Sequence, residues 1–593
     1  MLQKKQTFLP IVIFLWLIAF GLRVHALNAD LPFFISWSQG ATTDAPVTVA
    51  AARNKTLFGE WILPGELVPI YPLFPAMSWL TYIFFELIGT GYWQANFVAL
   101  VMGFLCIAFI TTFAKQHFGY RTAFFTTLFL TTNYLFLFYN RVSVVYTPLA
   151  CMLALALLLF GRMPKQRYLF WLGLIVVIIS FYIKLLAISL LPVFLYVSWQ
   201  YFSQWLTLGS KTIKLLIVLS LFGLGFLFFL WSFAPPDLQQ QILFVTQTRT
   251  FNPRYGWEEN LRFFVQAFLQ FGIYPTFFVR MLPLFILSYL YVFGRGYQWL
   301  SSQSPNVSYS EKIALLYLLG TLFMLLFSTS HPTRYMILLV PPLSLVGGIA
   351  VPKFLNLQRV ALRRKPSHGV VIFLLAGFTY FYYQIMTAIV KVQVAWQLQT
   401  GLGNYRAILD GPLLFQIFFI ALLLGFITVF ILLWLILHRQ QHEIVWVNPL
   451  NKKAIIYALI GFLLIGDLFQ YGLWARDPQF TIVETSRHLQ QDLGENVVLG
   501  GAYANVLTIE NDVPAYLFYG NSFESRSEIR TQIRDVGVTH IAMESDSIFG
   551  DGAFNDAKVY ELYPEFAEQV KLVKTYVVRG YVVKVYELES ASE

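Results

Sequence analysis

Apolar runs separated by short polar stretches recur along the chain from Phe8 to Trp474. Runs of roughly 17–25 apolar residues are long enough to cross a hydrocarbon core of about 30 Å as helices. Membrane β-barrel strands would instead show alternation over segments of about ten residues. The pattern predicts spans near 8–27, 92–114, 122–139, 142–161, 166–183, 185–203, 212–232, 272–294, 312–328, 334–350, 370–390, 412–437 and 453–474. The segment 74–91 is also apolar, but counting it as a span would invert the charge order of every later loop, so it is laid along the outer interface.

From about residue 478 the pattern changes to alternating helix and strand. A helix is expected over 481–493, a strand at Val497-Val498-Leu499, a helix from Glu524 to Val536, a strand from Val538 to Met543, and a hairpin around Arg579-Gly580 within 575–587. Gly500-Gly501-Ala502-Tyr503 follows a strand but lacks the further glycine spacing of a phosphate-binding loop. The fold class expected is a polytopic α-helical membrane protein with about 13 transmembrane helices over residues 1–477 and a C-terminal soluble α/β domain over 478–593.

Charge divides the chain at the same place. Residues 1–477 carry 32 Lys and Arg against 13 Asp and Glu, whereas 478–593 carry 9 against 18. The basic residues sit in alternate short loops: Lys115 and Arg121; Arg162, Lys165 and Arg167; Lys211 and Lys214; Arg295 and Lys312; the run from Lys353 to Lys365; and Arg439 to Lys453. This positive-inside order places the N-terminus in the cytoplasm and, with an odd number of spans, the C-terminal domain outside a multi-pass cell-membrane protein. It also removes any reason to invoke nucleic acid. Lys4-Lys5 before the first run reads as an uncleaved signal anchor. Cys106 and Cys151 both lie inside predicted spans, so no disulfide framework is expected.

Two outer loops are long, 28–73 and 233–271, and function is expected to concentrate there. The first contains Asp44, followed by Ala45, Pro46 and an Ala-rich stretch ending Ala52-Arg53-Asn54. Asp and Pro suit the start of a helix, so Asp44 is expected as an N-cap, with Val47 to Phe58 lying at the interface. A cap can still present one oxygen to a cavity. Several cations fall on the same outer side against the charge rule: Arg141, Lys184, and the entry His331-Pro332-Thr333-Arg334-Tyr335 into a late span. One such cation alone is most simply a snorkelling side chain. Together with a carboxylate they suit a cavity for an anionic lipid headgroup. Asn54-Lys55-Thr56 has the form of an N-glycosylation acceptor.

An acidic residue before an Ala-rich helix, then Leu57-Phe58-Gly59-Glu60-Trp61, Pro69-Ile70-Tyr71-Pro72-Leu73 and an Arg-Tyr entry into a late span resemble the GT-C glycosyltransferases. The branch resembled is that of the protein O-mannosyltransferases and lipid A aminoarabinose transferases, over roughly residues 8–350. The resemblance implies a polyprenyl-phosphate-linked sugar donor, an outer-face active site and Asp44 as catalytic base. Ala45 stands where the family often has a second acid, and Ile70-Tyr71 where it often has a lysine. The phosphate role therefore passes to Arg334, Lys184 and Arg141, in that order, with Tyr335, His331 and Arg53 as further substrate-binding candidates. No cofactor is read from the sequence, and the resemblance leaves a divalent cation open. The acceptor the resemblance implies is a lipid, glycan or protein hydroxyl. Two other readings stay open: a transporter or flippase of lipid-linked sugars, for which deep ionisable residues are few beyond Asp467, and a non-catalytic receptor with an outer binding domain.

Overall fold

The computed structural model describes residues 5–32, 35, 40–66, 71, 74–203, 281–300, 307–326, 333–356, 359–361, 368–399, 411–438, 443–445, 449–494, 496–517, 533, 535–546 and 570–588. The expected span at 212–232, the loop 233–271, His331 and most of the expected helix 524–536 lie outside them.

The helical part comprises α1 (Lys5–Val24), α2 (Gly40–Phe58), α3 (Pro75–Ile88), α4 (Tyr92–Phe118), α5 (Tyr120–Thr132), α6 (Tyr134–Tyr139), α7 (Tyr146–Arg162), α8 (Leu169–Ile183), α9 (Leu191–Phe202), α10 (Leu282–Leu300), α11 (Tyr309–Leu326), α12 (Val340–Asn356), α13 (His368–Gln399), α14 (Gly411–His438) and α15 (Pro449–Ala475). Three expected spans are broken or begin as a 3-10 turn. Asn133 interrupts 122–139 between α5 and α6 and caps α6 through its side chain, which accepts from the Phe136 amide at 3.0 Å. A 3-10 turn, Leu185–Leu190, precedes α9, and another, Thr333–Leu339, leads into α12. Four segments among the described residues are long and apolar enough to cross a membrane by themselves: Tyr92–Phe118, Arg334–Asn356, Gln416–Trp434 and Lys453–Ala475. Helix α3 has 14 residues, about 21 Å of helix, which is short of a bilayer core.

The bundle has two chemically different ends. At the basic end, Gln116 and Arg162 pair at 2.8 Å, His117 meets Ser310 at 2.7 Å, and the Tyr309 hydroxyl donates to Phe160 O. Buried Glu311 on α11 there takes Arg295 of α10 at 2.7 Å and Lys353 of α12 at 3.0 Å. The other end gathers the start of α7, the end of α8 and the entry to α12, and it lies under the C-terminal domain.

That domain contains α16 (Thr481–Leu493), the short helix α17 (Ala504–Leu507) and a five-stranded sheet of β3 (Leu499–Gly500), β4 (Ala515–Tyr516), β5 (His540–Asp546), β6 (Val570–Val578) and β7 (Tyr581–Leu588), in the order β4-β3-β5-β7-β6. Two further strands, β1 (Arg359–Ala361) and β2 (Glu443–Val445), pair between helices. β3 is parallel to β4 and β5, while β5-β7 and β6-β7 are antiparallel. Arg579 (φ +50°) and Gly580 (φ +79°) make the two-residue turn between β6 and β7, the backbone sense that matches strand twist. Gly501 (φ +111°) is set by close packing, since a Cβ there would stand 2.5 Å from Ala542 O. The helix expected at 481–493 and the hairpin expected within 575–587 are found, while the strand expected at 497–499 is shorter and shifted, Leu499–Gly500.

Two long-range caps join domain and bundle. Asp30, just after α1, accepts from Thr481 N (2.9 Å), Thr481 Oγ1 (2.6 Å) and Ile482 N (3.2 Å), and so caps α16, whose own N-cap position is Phe480. Burial pushes the Asp30 carboxyl up, against these hydrogen bonds, which favour its ionised form. In the opposite direction Glu510 accepts from Tyr92 N at 2.8 Å and caps α4, where the chain offers only Gly91. Its second oxygen takes the Arg487 guanidinium at 3.0 Å.

Candidate active site

Helix α2 begins a turn earlier than the sequence suggests. Asp44 therefore lies inside it and is not its N-cap, and Pro46 falls within the helix. The Asp44 backbone carbonyl is tied by Thr48 Oγ1 at 2.6 Å, while its carboxylate projects to the entry of α12. Nor does α2 lie open at an interface: Val47 to Asn54 are buried, packed against α3 and α17. The small residues Ala50-Ala51-Ala52 permit that close approach.

Asp44 Oδ2 stands 2.5 Å from Arg334 Nε, with Arg334 and Asp44 side chains 17% and 29% exposed. The approach is a close charge contact, without the angle of an aligned hydrogen bond. Lys184 is the second cation. It sits in extended conformation between α8 and the 3-10 turn, and its Nζ donates to the Tyr146 hydroxyl at 2.9 Å. Three rings surround that ammonium: Tyr146 at 4.7 Å, Phe74 at 5.1 Å and Tyr335 at 5.6 Å. Tyr146 and Tyr335 pack 5.0 Å apart, and Arg334 lies 5.9 Å from the Tyr335 ring. One carboxylate, two cations and an aromatic wall thus meet at one end of the bundle.

The structure brings together Asp44, Arg334, Lys184 and Tyr335 and leaves the expected phosphate ligand Arg141 and the substrate-binding candidate Arg53 elsewhere. Arg141 donates to Arg23 O at 3.1 Å, to His25 O at 2.6 Å and to Ala26 O, and stacks over Trp474 at 4.0 Å. The carbonyls that end α1 are a natural cation site, so Arg141 is a helix cap. Arg53 donates from Nη2 to Asn511 O (2.7 Å) and Val513 O (2.8 Å) of the C-terminal domain. Burial lowers its pKa to about 10, which leaves it charged at neutral pH. Tyr146 and Phe74 were not singled out in the sequence. The available signal was Tyr146-Thr147-Pro148 opening a span on the same side as Lys184.

The described residues around Asp44 do not by themselves make up a ligand set for a divalent cation. Its close charged neighbour is a guanidinium, and among the described residues no three His, Cys, Asp or Glu side chains come together.

These features define a helical, membrane-type protein with a carboxylate–cation site under an added α/β domain. Residues 70–229 match the model of the family described as dolichyl-phosphate-mannose-protein mannosyltransferase. The match covers 160 of the chain's 593 residues. The fold is also similar to ArnT from Cupriavidus metallidurans solved bound to undecaprenyl phosphate, at 15% identity and TM-score 0.48, covering 99% of this chain and 98% of that one. The Archaeoglobus fulgidus oligosaccharyltransferase in its apo form is similar at 12% identity and TM-score 0.40, over 91% of this chain and 70% of that one. At these levels neither assigns a residue or a substrate. No curated protein matches the sequence.

Proposed function

We propose that this protein transfers a sugar from a polyprenyl-phosphate carrier to an acceptor hydroxyl at the outer face of the membrane, with inversion at the anomeric carbon. The observation that carries this reading is the contact of Asp44 with Arg334 at 2.5 Å, with Lys184 on the same aromatic wall.

A phosphate diester bound by Arg334 and Lys184 shares the guanidinium with Asp44, so the carboxylate can turn to the acceptor. Asp44 takes the acceptor proton as its oxygen attacks the anomeric carbon. The bond from that carbon to the phosphate oxygen breaks, and polyprenyl phosphate leaves with the electron pair. Charge growing on the phosphate is met by both cations, and no general acid is required. The matched family supports a lipid-phosphate sugar, and the order of basic loops supports outer-face transfer with a cytoplasmic N-terminus and an external C-terminal domain.

The test is release of polyprenyl phosphate by purified protein supplied with donor and acceptor. Asp44→Asn is expected to lose on the order of 10²–10⁴ in turnover; activity within a few fold of wild type would remove Asp44 as base. Arg334→Ala is expected to weaken donor binding or slow turnover by at least tenfold, with partial recovery in Arg334→Lys. Unchanged kinetics in Arg334→Ala would reject its phosphate role.

A further inference from the structure

The C-terminal domain grips the helix that carries Asp44 on both sides of that residue. At the near side, Arg579 in the β6-β7 turn donates from Nη1 to Thr42 Oγ1 at 3.3 Å, two residues before Asp44. The same guanidinium donates from Nε to Leu31 O at 2.7 Å and from Nη2 to Pro32 O at 3.1 Å, on the strand of chain leading towards α2. At the far side, Arg53 of α2 holds Asn511 O and Val513 O. Asp44 and Arg53 are nine positions apart, about 13 Å of helix.

Both guanidiniums are buried, at 5% and 2% exposure, and all five contacts cross from the C-terminal domain to the first loop or α2. Arg579 is itself held in place by the cap that Asp30 makes. Its backbone amide donates to Thr481 Oγ1 at 2.7 Å, and that hydroxyl donates to Asp30. A buried guanidinium with several fixed acceptors can shift only if those acceptors move together. Two such fixtures, before and after Asp44, set the rotation and the height of α2, and thereby where its carboxylate meets Arg334.

We infer that the C-terminal domain is a positioning clamp for Asp44, with Arg579 as its principal positioning residue. The inference rests on the reading of Asp44 as the base. A domain that only captured acceptor would not need a buried arginine aimed at the segment beside the base. Misplacing a reacting group by about 1 Å can cost on the order of a hundredfold in rate, so the clamp acts on turnover and not on donor affinity.

The experiment uses the full chain in lipid nanodiscs and compares wild type, Arg579→Ala, Arg579→Lys, Thr42→Val, Asp44→Asn and the double variant of Arg579→Ala with Asp44→Asn. Arg579→Ala is expected to lower kcat by tenfold or more with donor KM within threefold, and added guanidinium to restore part of kcat. Thr42→Val removes one acceptor without burying a new charge and is expected to lower kcat three- to tenfold in a protein of unchanged thermal stability. In the Asp44→Asn background, Arg579→Ala is expected to have less than a twofold further effect, because the group being positioned is gone. A purely structural arginine would lower the rate equally in both backgrounds, and that result overturns the clamp. So does a loss confined to acceptor KM, or an unchanged kcat in both Thr42→Val and Arg579→Ala. If Asp44→Asn itself remains active, the base and the clamp fall together; if it is inactive while Arg579→Ala and Thr42→Val turn over normally, the clamp alone falls.

Discussion

Arg141, Arg53 and Arg334 carry the same side chain, and each is given a different task by the acceptors within about 3 Å of it. Carbonyls ending α1 make Arg141 a cap, carbonyls of the C-terminal domain make Arg53 a tether, and a carboxylate makes Arg334 part of the site. Arg141→Ala is therefore expected to leave donor KM unchanged while lowering thermal stability by about 2–4 kcal/mol, since three carbonyls and a stacked indole lose their partner. A melting curve with and without lipid donor separates the two effects. Asn54 is 1% exposed, so its sequon is closed to modification in the folded protein; a glycan at Asn54 found by mass spectrometry of the folded material would contradict this. Glu66 supplies a pH effect. Burial raises its carboxyl to about 7, although Leu63 N donates to it, and Gly65 beside it packs on Val536 of the C-terminal domain. The folded state thus prefers the protonated acid. Docking of loop and domain is most stable below about pH 4.5 and weakens by up to about 3 kcal/mol as pH rises to 7. Glu66→Gln is expected to flatten that dependence, read by hydrogen exchange of residues 61–66 against pH.

At the scale of elements, the helices were legible because they lie in long apolar runs separated by short polar stretches. Their starts were not. Helix α2 was expected to begin at Asp44, from a local rule about caps, yet it begins at Gly40. Helices α4 and α16 begin after Gly91 and Phe480, whose side chains cannot accept the first amides, and Glu510 and Asp30 accept them from more than 400 residues away. Such caps leave no mark in a window of sequence. Asp30→Ala is expected to destabilise the C-terminal domain by about 1–3 kcal/mol, because it uncovers two buried amides and the hydroxyl that supports Arg579. Limited proteolysis of the domain at graded temperature would show it, with cleavage beginning several degrees lower than in wild type.

For the whole molecule, bundle and domain are joined through buried charges and not through a passive linker. Trp474 Nε1 donates to Asp30 O, Asp30 N donates to Gln479 O, and Arg53, Arg579 and Glu510 complete the junction. A chain ended after residue 477 keeps Asp44, Arg334 and Lys184, yet it is expected to lose at least tenfold in turnover, measured as polyprenyl phosphate released from vesicle-reconstituted protein. Retained turnover would make the domain an accessory. The sequence by itself determined the helical membrane class, the separate α/β tail, and the side of the bundle on which a carboxylate and several cations would gather. Those features follow from hydropathy length, strand and helix period, and loop charge, all of which are read within a few turns of chain. Only the tertiary structure decided which cations meet Asp44. A guanidinium binds whichever oxygens lie within about 3 Å, and for Arg141, Arg53, Arg334 and Arg579 those oxygens come from segments remote in sequence.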